Sequence, residues 1–156
     1  MKWRRFTGEA IDNLKDEIKK DIIENKKEEL IFIIGADSVK RGSKISYVIA
    51  LVILMKGHGG KGYYRKIKEY NKYITKKQRL FREAYEAVND ALWINPILES
   101  LGHEIKEIHS DLNPDPHSGS YESIRECLGY ISGHGFVGVI KPDGFVAYEV
   151  CDRFSR

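Results

Sequence analysis

The sequence is poor in the residues that staple or punctuate small proteins, with two cysteines, four prolines and two tryptophans among 156 residues. Cys127 and Cys151 cannot build a disulfide framework, and neither stands in the C-x-x-C spacing of a zinc ligand pair. They read as ordinary buried thiols of a reducing cytosol. A long apolar run is also missing. The longest, Ile45 to Met55, is too short to cross a bilayer as a helix, and its β-branched residues predict a buried strand instead. Met1 to Asn13 is charged and lacks an apolar core, so no secretory signal is expected there, no membrane is called for, and a cytoplasmic location is the expectation. No internal repeat, linker or low-complexity segment interrupts the chain. With 42% hydrophobic and 31% charged residues, the composition is that of one soluble globular domain, residues 1–156. Its richness in Lys, Glu and Ile is a pattern of heat-adapted proteins.

Acid is scarce in one region. Residues 56–82 hold ten Lys or Arg against a single acid, Glu69, so the remainder of the chain is net acidic although the total is only +3. Tyr63, Tyr64, Tyr70 and Tyr73 interleave these cations, a pattern that suits a polyanion with unpaired bases. Lys61, Tyr63, Tyr64, Arg65, Lys66, Lys68, Lys76, Lys77 and Arg79 are the candidate nucleic-acid contacts. A solvated basic face is the competing reading.

The hydrophobic pattern predicts one α/β unit. Ile11, Leu14, Ile18 and Ile22 recur at helical spacing within residues 8–26, which predicts an extra N-terminal amphipathic helix packed by one stripe. Leu30–Ala36 is a continuous apolar run, expected of a strand buried on both faces. It pairs in a hairpin with Ile45–Met55 through the Lys40-Arg41-Gly42-Ser43 turn. The glycine-rich stretch Gly57 to Gly62 lacks the G-K-[ST] ending of a phosphate loop and is expected to be a flexible turn into a third strand at Tyr63–Ile67. Residues 75–100 form the longest helix, with Leu80, Ala84, Val88, Ala91 and Leu92 on one stripe and Pro96 a candidate kink or early end. A fourth strand at Glu104–Asp111, a helix over Ser120–Ile131, a fifth strand at Phe136–Ile140 and a short helix from an Asp143 cap towards Arg153 complete the order β-β-β-α-β-α-β-α. The implied sheet is mixed and five-stranded, with the first and fourth strands central.

In open α/β sheets, ligands gather at the carboxyl ends of adjacent strands. Asp37 ends the first strand and Asp111 the fourth. As parallel neighbours, their carboxylates repel unless a hard cation neutralises them, so a divalent metal is the natural explanation of the pair. His109 shares the face of Asp111 by alternation and is either a metal or phosphate contact or a hydrogen-bonded strand histidine. On the long helix Glu83 borders the apolar stripe while Glu86 turns towards solvent, which makes Glu83 the better third ligand. In the last helix Asp143 and Asp152 stand half a rotation apart; Asp143 is favoured and Asp152 is the alternative.

The fragments Ile34-Gly35-Ala36-Asp37-Ser38, Arg79-Leu80 with Glu83-Ala84, Ile108 to Asn113, Gly129-Tyr130, Lys141-Pro142-Asp143 and Cys151-Asp152-Arg153 together resemble the YkuK-type family of RNase H-like proteins over nearly the whole chain. The resemblance implies an RNase H-like fold and a metal-dependent nuclease. It also implies that Asp37, Glu83, Asp111 and Asp143 hold two Mg²⁺ or Mn²⁺ ions, with Lys141 an electrostatic aid, and that RNA, an RNA–DNA hybrid or structured DNA is hydrolysed. The family-like Cys151-Asp152-Arg153 leaves the fourth ligand open between Asp143 and Asp152. Two other functions compete: a non-catalytic nucleic-acid-binding module, and an interaction domain whose basic segment meets an acidic protein. Oligomeric state is not legible in the sequence.

Overall fold

The structure is a computed structural model that describes residues 2–155; Met1 and Arg156 lie outside it. A two-residue strand, β1 (Arg4–Arg5), precedes helix α1 (Leu14–Glu24), and three long strands follow: β2 (Leu30–Arg41), β3 (Lys44–Met55) and β4 (Gly59–Tyr70). Helix α2 (Lys76–Ser100) crosses to β5 (Ile105–Ser110), and α3 (Ile124–Gly133) crosses to the short β6 (Gly138–Val139). A π-helical segment, Val146–Cys151, then runs into α4 (Asp152–Ser155).

One mixed sheet of six strands, in the order β1-β4-β3-β2-β5-β6, organises the fold. The sheet exceeds the five expected strands because Arg4 and Arg5 pair antiparallel with Tyr64 and Tyr63 and so cover the β4 edge. β2, β3 and β4 form an antiparallel meander, while β5 lies parallel to β2 and β6 parallel to β5. The larger core lies on one face, where Phe32, Ile34, Tyr47, Ile49 and Tyr63 meet Leu14, Ile18 and Ile22 of α1 and Leu80, Ala84, Val88, Ala91, Ile94 and Leu98 of α2. Ile33, Val48, Ala50 and Tyr64 pack on the other face against Val146 and Cys151. That approach is close enough to require glycine in β2: a Cβ on Gly35 would stand 2.7 Å from Val146 Cγ1.

Several boundaries differ from the pattern-based expectation for local reasons. The amphipathic stripe forms a helix only from Leu14, where the Asn13 side chain accepts a hydrogen bond from the Asp16 amide; Ile11 packs ahead of it. The glycines from Gly59 onward are strand rather than flexible turn, and a Cβ on Gly62 would collide with the Leu51 carbonyl and the Phe6 ring. Pro96 does not end α2, which runs on to Ser100, and Leu92 faces outward at 46% exposure instead of joining the buried stripe. Asp143 caps no helix, since the π-helical segment starts after Phe145 without a side-chain cap.

Candidate functional site

Register explains why Asp37 is special better than strand length does. β2 does not end there but continues to Arg41; it is β5 that stops, with Ala36 opposite Ser110 as the last parallel pair. Asp37 and Asp111 are the next residues on each strand, at the point where the sheet opens between β2 and β5. Alternation turns Asp37 towards the C-terminal segment and Ser38 towards α2. Both faces of β2 therefore contribute to one cleft of about 220 Å³, lined by Asp37, Ser38, Lys76, Arg79, Glu83, Asp111, Asn113, Ser120 and Lys141.

The cleft concentrates poorly neutralised carboxyls. Burial pushes the Asp37 carboxyl up to about 7, and the charge of Asp111 adds to it; the Ser38 amide and Arg79 oppose the shift, while Asp152 reinforces it. Glu83 is fully buried and is driven well above the usual carboxylate range by burial first and Asp37 second. Its Oε2 accepts a hydrogen bond from Ser38 Oγ at 2.6 Å. Arg79 donates to Ser38 O and Oγ, both at 3.1 Å, and so supports that hydroxyl from the other side. Asp111 Oδ1 is shielded from solvent and meets Lys141 Nζ at 2.9 Å, an ion-pair distance without an aligned hydrogen bond.

Among the described residues, no three carboxylate, imidazole or thiol groups converge into a ready-made metal-ligand cluster. The carboxylates have separate partners instead: Ser38 Oγ donates to Glu83, and Lys141 stands 2.9 Å from Asp111. The donor chemistry nevertheless fits a hard divalent cation. All the anionic donors are oxygens, burial and neighbouring carboxylates raise the pKa of both Asp37 and Glu83, and one buried Asp111 oxygen lacks a hydrogen bond.

The remaining candidates separate clearly. Asp143 is exposed, does not line the cleft, and exerts its charge on His109. Asp152 does not line the cleft either, but its charge acts on Asp37, because the π-helical segment carries the chain back under Gly35 before α4 begins. His109 is buried outside the carboxylate cluster; its Nδ1 accepts from the Val146 amide at 3.2 Å, which leaves Nε2–H to donate to Glu107 Oε1 at 3.2 Å. Burial keeps its pKa below the ordinary value, against the pull of Glu107. It is a strand histidine that pins the C-terminal segment.

The basic segment divides in the same way. Tyr63 is wholly buried with its hydroxyl donating to Asp21, and Tyr64 stacks on Phe154 with ring centroids 4.1 Å apart. Arg65 is buried too, donating to Asp90 Oδ2 and Glu86 Oε2 at 2.8 Å each. These three are core residues and offer no surface to bases, because β4 is covered on both faces over this stretch. Lys61 pairs with Asp21 at 3.1 Å. Lys66, Lys68 and Lys77 are exposed, whereas Lys76 and Arg79 stand at the carboxylate cleft itself. Sequence reasoning passed over Ser38 and Ser120; the signal for Ser38 was its place one residue after Asp37, on the opposite face.

A family model described as ribonuclease H-like matches residues 13–156. The chain belongs to the ribonuclease H-like family. The match leaves out only the first twelve positions, so the entire sheet apart from β1 lies within this ribonuclease H-like region. No curated protein and no solved structure matches this ribonuclease H-like chain.

Proposed function

We propose that this chain is a divalent-metal-dependent nuclease that hydrolyses phosphodiester bonds of RNA, an RNA–DNA hybrid or structured DNA. The observation that carries the reading is the Asp37, Glu83 and Asp111 group, in which burial and mutual charge raise two carboxyls around a cleft rimmed by Lys76, Arg79 and Lys141. A fold under no functional demand has little reason to bury anions beside one another. Asp37, Glu83 and Asp111 would hold Mg²⁺ or Mn²⁺, with Asp152 rather than Asp143 as the fourth carboxylate. Two such ions, when bound, lower the barrier to attack by water and to departure of the leaving oxygen.

The chain's own side chains have distinct tasks in this reading. Lys76 and Arg79 attract and orient the phosphate at the cleft. Ser38 fixes the Glu83 carboxylate and is itself held by Arg79. Lys141 balances the charge of Asp111 until a stronger cation replaces it. Labelled single-stranded RNA, hybrid and branched DNA incubated with Mg²⁺ or Mn²⁺ test the proposal. Cleavage is expected in the parent, with a loss of at least about 100-fold in Asp37→Asn and in Asp111→Asn. Equal cleavage by the parent and both variants would mean a contaminating nuclease and would remove the proposal. The Lys141–Asp111 pair favours one rival, a non-catalytic binding module, and nucleic-acid binding without cleavage in any metal would establish it instead.

A further inference from the structure

The sheet face that carries Asp37 is only partly covered. Cross-strand pairing arranges β2, β3 and β4 in rows: Gly35–Ala50–Tyr64, then Asp37–Val48–Lys66, then Val39–Ser46–Lys68, then Arg41–Lys44–Tyr70. The C-terminal segment lies over the first two rows, with Val146 on Gly35, Phe154 stacked on Tyr64 and Val48 wholly buried, and reaches its last described residue, Ser155, at the edge of the third and fourth rows. Beyond it a groove of about 250 Å³ stays open, floored by Val39 and Ser46 and flanked by Arg41, Lys44, Lys66 and Lys68.

Arg41 and Lys44 precede the basic segment and Lys66 and Lys68 lie in it, and all four differ from the cations of that segment that carboxylates hold. Lys56, Lys61, Arg65 and Arg82 are matched by Glu29, Asp21, Asp90 and Glu86. No carboxylate among the described residues pairs with Arg41, Lys44, Lys66 or Lys68, and Glu69, the one acid at the groove, pairs with Arg82. Lys66 is partly desolvated and feels Lys68 and Arg4, which together lower its pKa. Uncompensated like charge of this kind costs stability unless an anion relieves it. Tyr70 stands at the far row, 74% exposed, where an unpaired base can stack.

We propose that these uncovered rows bind the phosphodiester backbone of a single nucleic-acid strand that leaves the carboxylate cleft along β2. Successive rows lie two strand residues, about 7 Å, apart, a repeat that suits successive phosphates of an unstacked strand. Val39 and Ser46 between the cations leave a shallow floor, and Tyr70 supplies a stacking face. The charge pattern also runs in the right sense, from anionic Asp37, where the backbone would need a cation, to a plane of cations that needs none. The inference rests on the nuclease reading for what the carboxylates do, but the groove can be tested without any cleavage.

The test is fluorescence anisotropy of a short labelled single strand, as DNA and as RNA, with the metal-free full chain in EDTA over a range of salt. The parent should bind a single strand more tightly than the matching duplex. Lys66→Glu combined with Lys68→Glu should weaken binding at least about tenfold and make the salt slope shallower by about 1.4, two phosphate contacts at about 0.7 each. Arg41→Glu combined with Lys44→Glu should do the same. Lys19→Glu with Lys20→Glu, an equal charge change on the exposed side of α1, should leave affinity within about twofold, and circular dichroism confirms folding of all variants. Unchanged affinity in both groove variants, equal losses in the α1 control, tighter binding of duplex, or no binding by the parent would each overturn the proposal. An inert carboxylate site would leave the groove standing and fail only the nuclease reading.

Discussion

Two buried charge clusters share helix α2, and they are built on opposite principles. On one turn pair, Arg65 of β4 reaches Asp90 and Glu86 in near-ideal geometry, and Arg82 adds a second cation to Glu86 at 2.9 Å. Burial pushes Asp90 up to about 6 while Arg65 pulls it back, and Glu86 ends below its usual value because hydrogen bonds from Arg65 and Arg82 outweigh burial. Glu83, less than one turn away from Glu86, has only a hydroxyl for a hydrogen-bond partner, and its carboxyl neighbours raise it further. The first cluster is closed, with cations already supplied by the chain. The second is open: its cations stand at the rim, where Lys141 meets Asp111 and Arg79 bonds Ser38 rather than a carboxylate. A buried ion pair that is complete holds helix to sheet, whereas a buried anion group that is incomplete stores an affinity for something the chain lacks.

Breaking the closed cluster should give the largest effect. Arg65→Met leaves Asp90 and Glu86 buried against an apolar side chain, and the loss of one partner from such a pair costs about 3–5 kcal/mol. Urea unfolding at neutral pH should register that loss, and it should shrink at acid pH as Asp90 takes up a proton. A variant as stable as the parent would mean that the cluster contributes nothing net and that the contrast drawn between the two is wrong.

The open cluster should respond to an added divalent cation instead. Mn²⁺ at about 100 times its dissociation constant should stabilise the parent by about 2.7 kcal/mol, since it binds only the folded arrangement. Asp37→Asn should abolish the gain, while Asp143→Asn, on the exposed side, should keep it. The sharper comparison lies with the C-terminal segment: Asp152→Asn should reduce the shift if Asp152 completes the site. A thermal shift equal in the parent and Asp37→Asn would place the ion elsewhere.

Much of this contrast was legible before any coordinates. The period-2 and period-3.6 patterns located the five main strands and α2, and alternation with strand adjacency brought Asp37 beside Asp111. Glu83 was separable from Glu86 by the roughly 60° that three residues leave between them on a helix, but Glu86 turns to Arg65 and Arg82 rather than to solvent. Arg65 was misread because charge density along a segment carries no information on burial. Only the packing of α1 and α2 on one face of β4 and of the C-terminal segment on the other reveals that Tyr63, Tyr64 and Arg65 are enclosed. Asp143 was misplaced for a related reason: a π-helical turn has no distinct periodic signature in six residues, and without it the chain reads as capping a helix directly after the last strand. The part of the basic segment that stays exposed on the sheet is its alternate residues beyond Arg65, on the face that the C-terminal segment leaves bare.

The smallest effect follows from the sign of the carboxyl shifts. Asp37 has a folded pKa of about 7, above its value in an unfolded chain, so the folded state binds the proton more tightly. Its contribution is therefore fully present below about pH 4 and is lost as pH rises through 7, which makes metal-free protein less stable at pH 8 than carboxylate counts alone would suggest. Glu83 acts in the same direction. The closed cluster behaves oppositely at Glu86, whose lowered pKa adds stability that is retained as pH rises and lost only on strong acidification. Asp37→Asn removes one term from the open cluster alone, so in EDTA the variant should gain on the order of 2 kcal/mol relative to the parent between pH 5 and 8. Mn²⁺ should reverse the order at pH 8, because only the parent can trade the buried repulsion for a bound cation. Denaturant midpoints for both proteins across that range measure the difference directly, and parallel pH profiles in EDTA would mean that Asp37 is neutralised by the chain after all, as Glu86 is by Arg65 and Arg82.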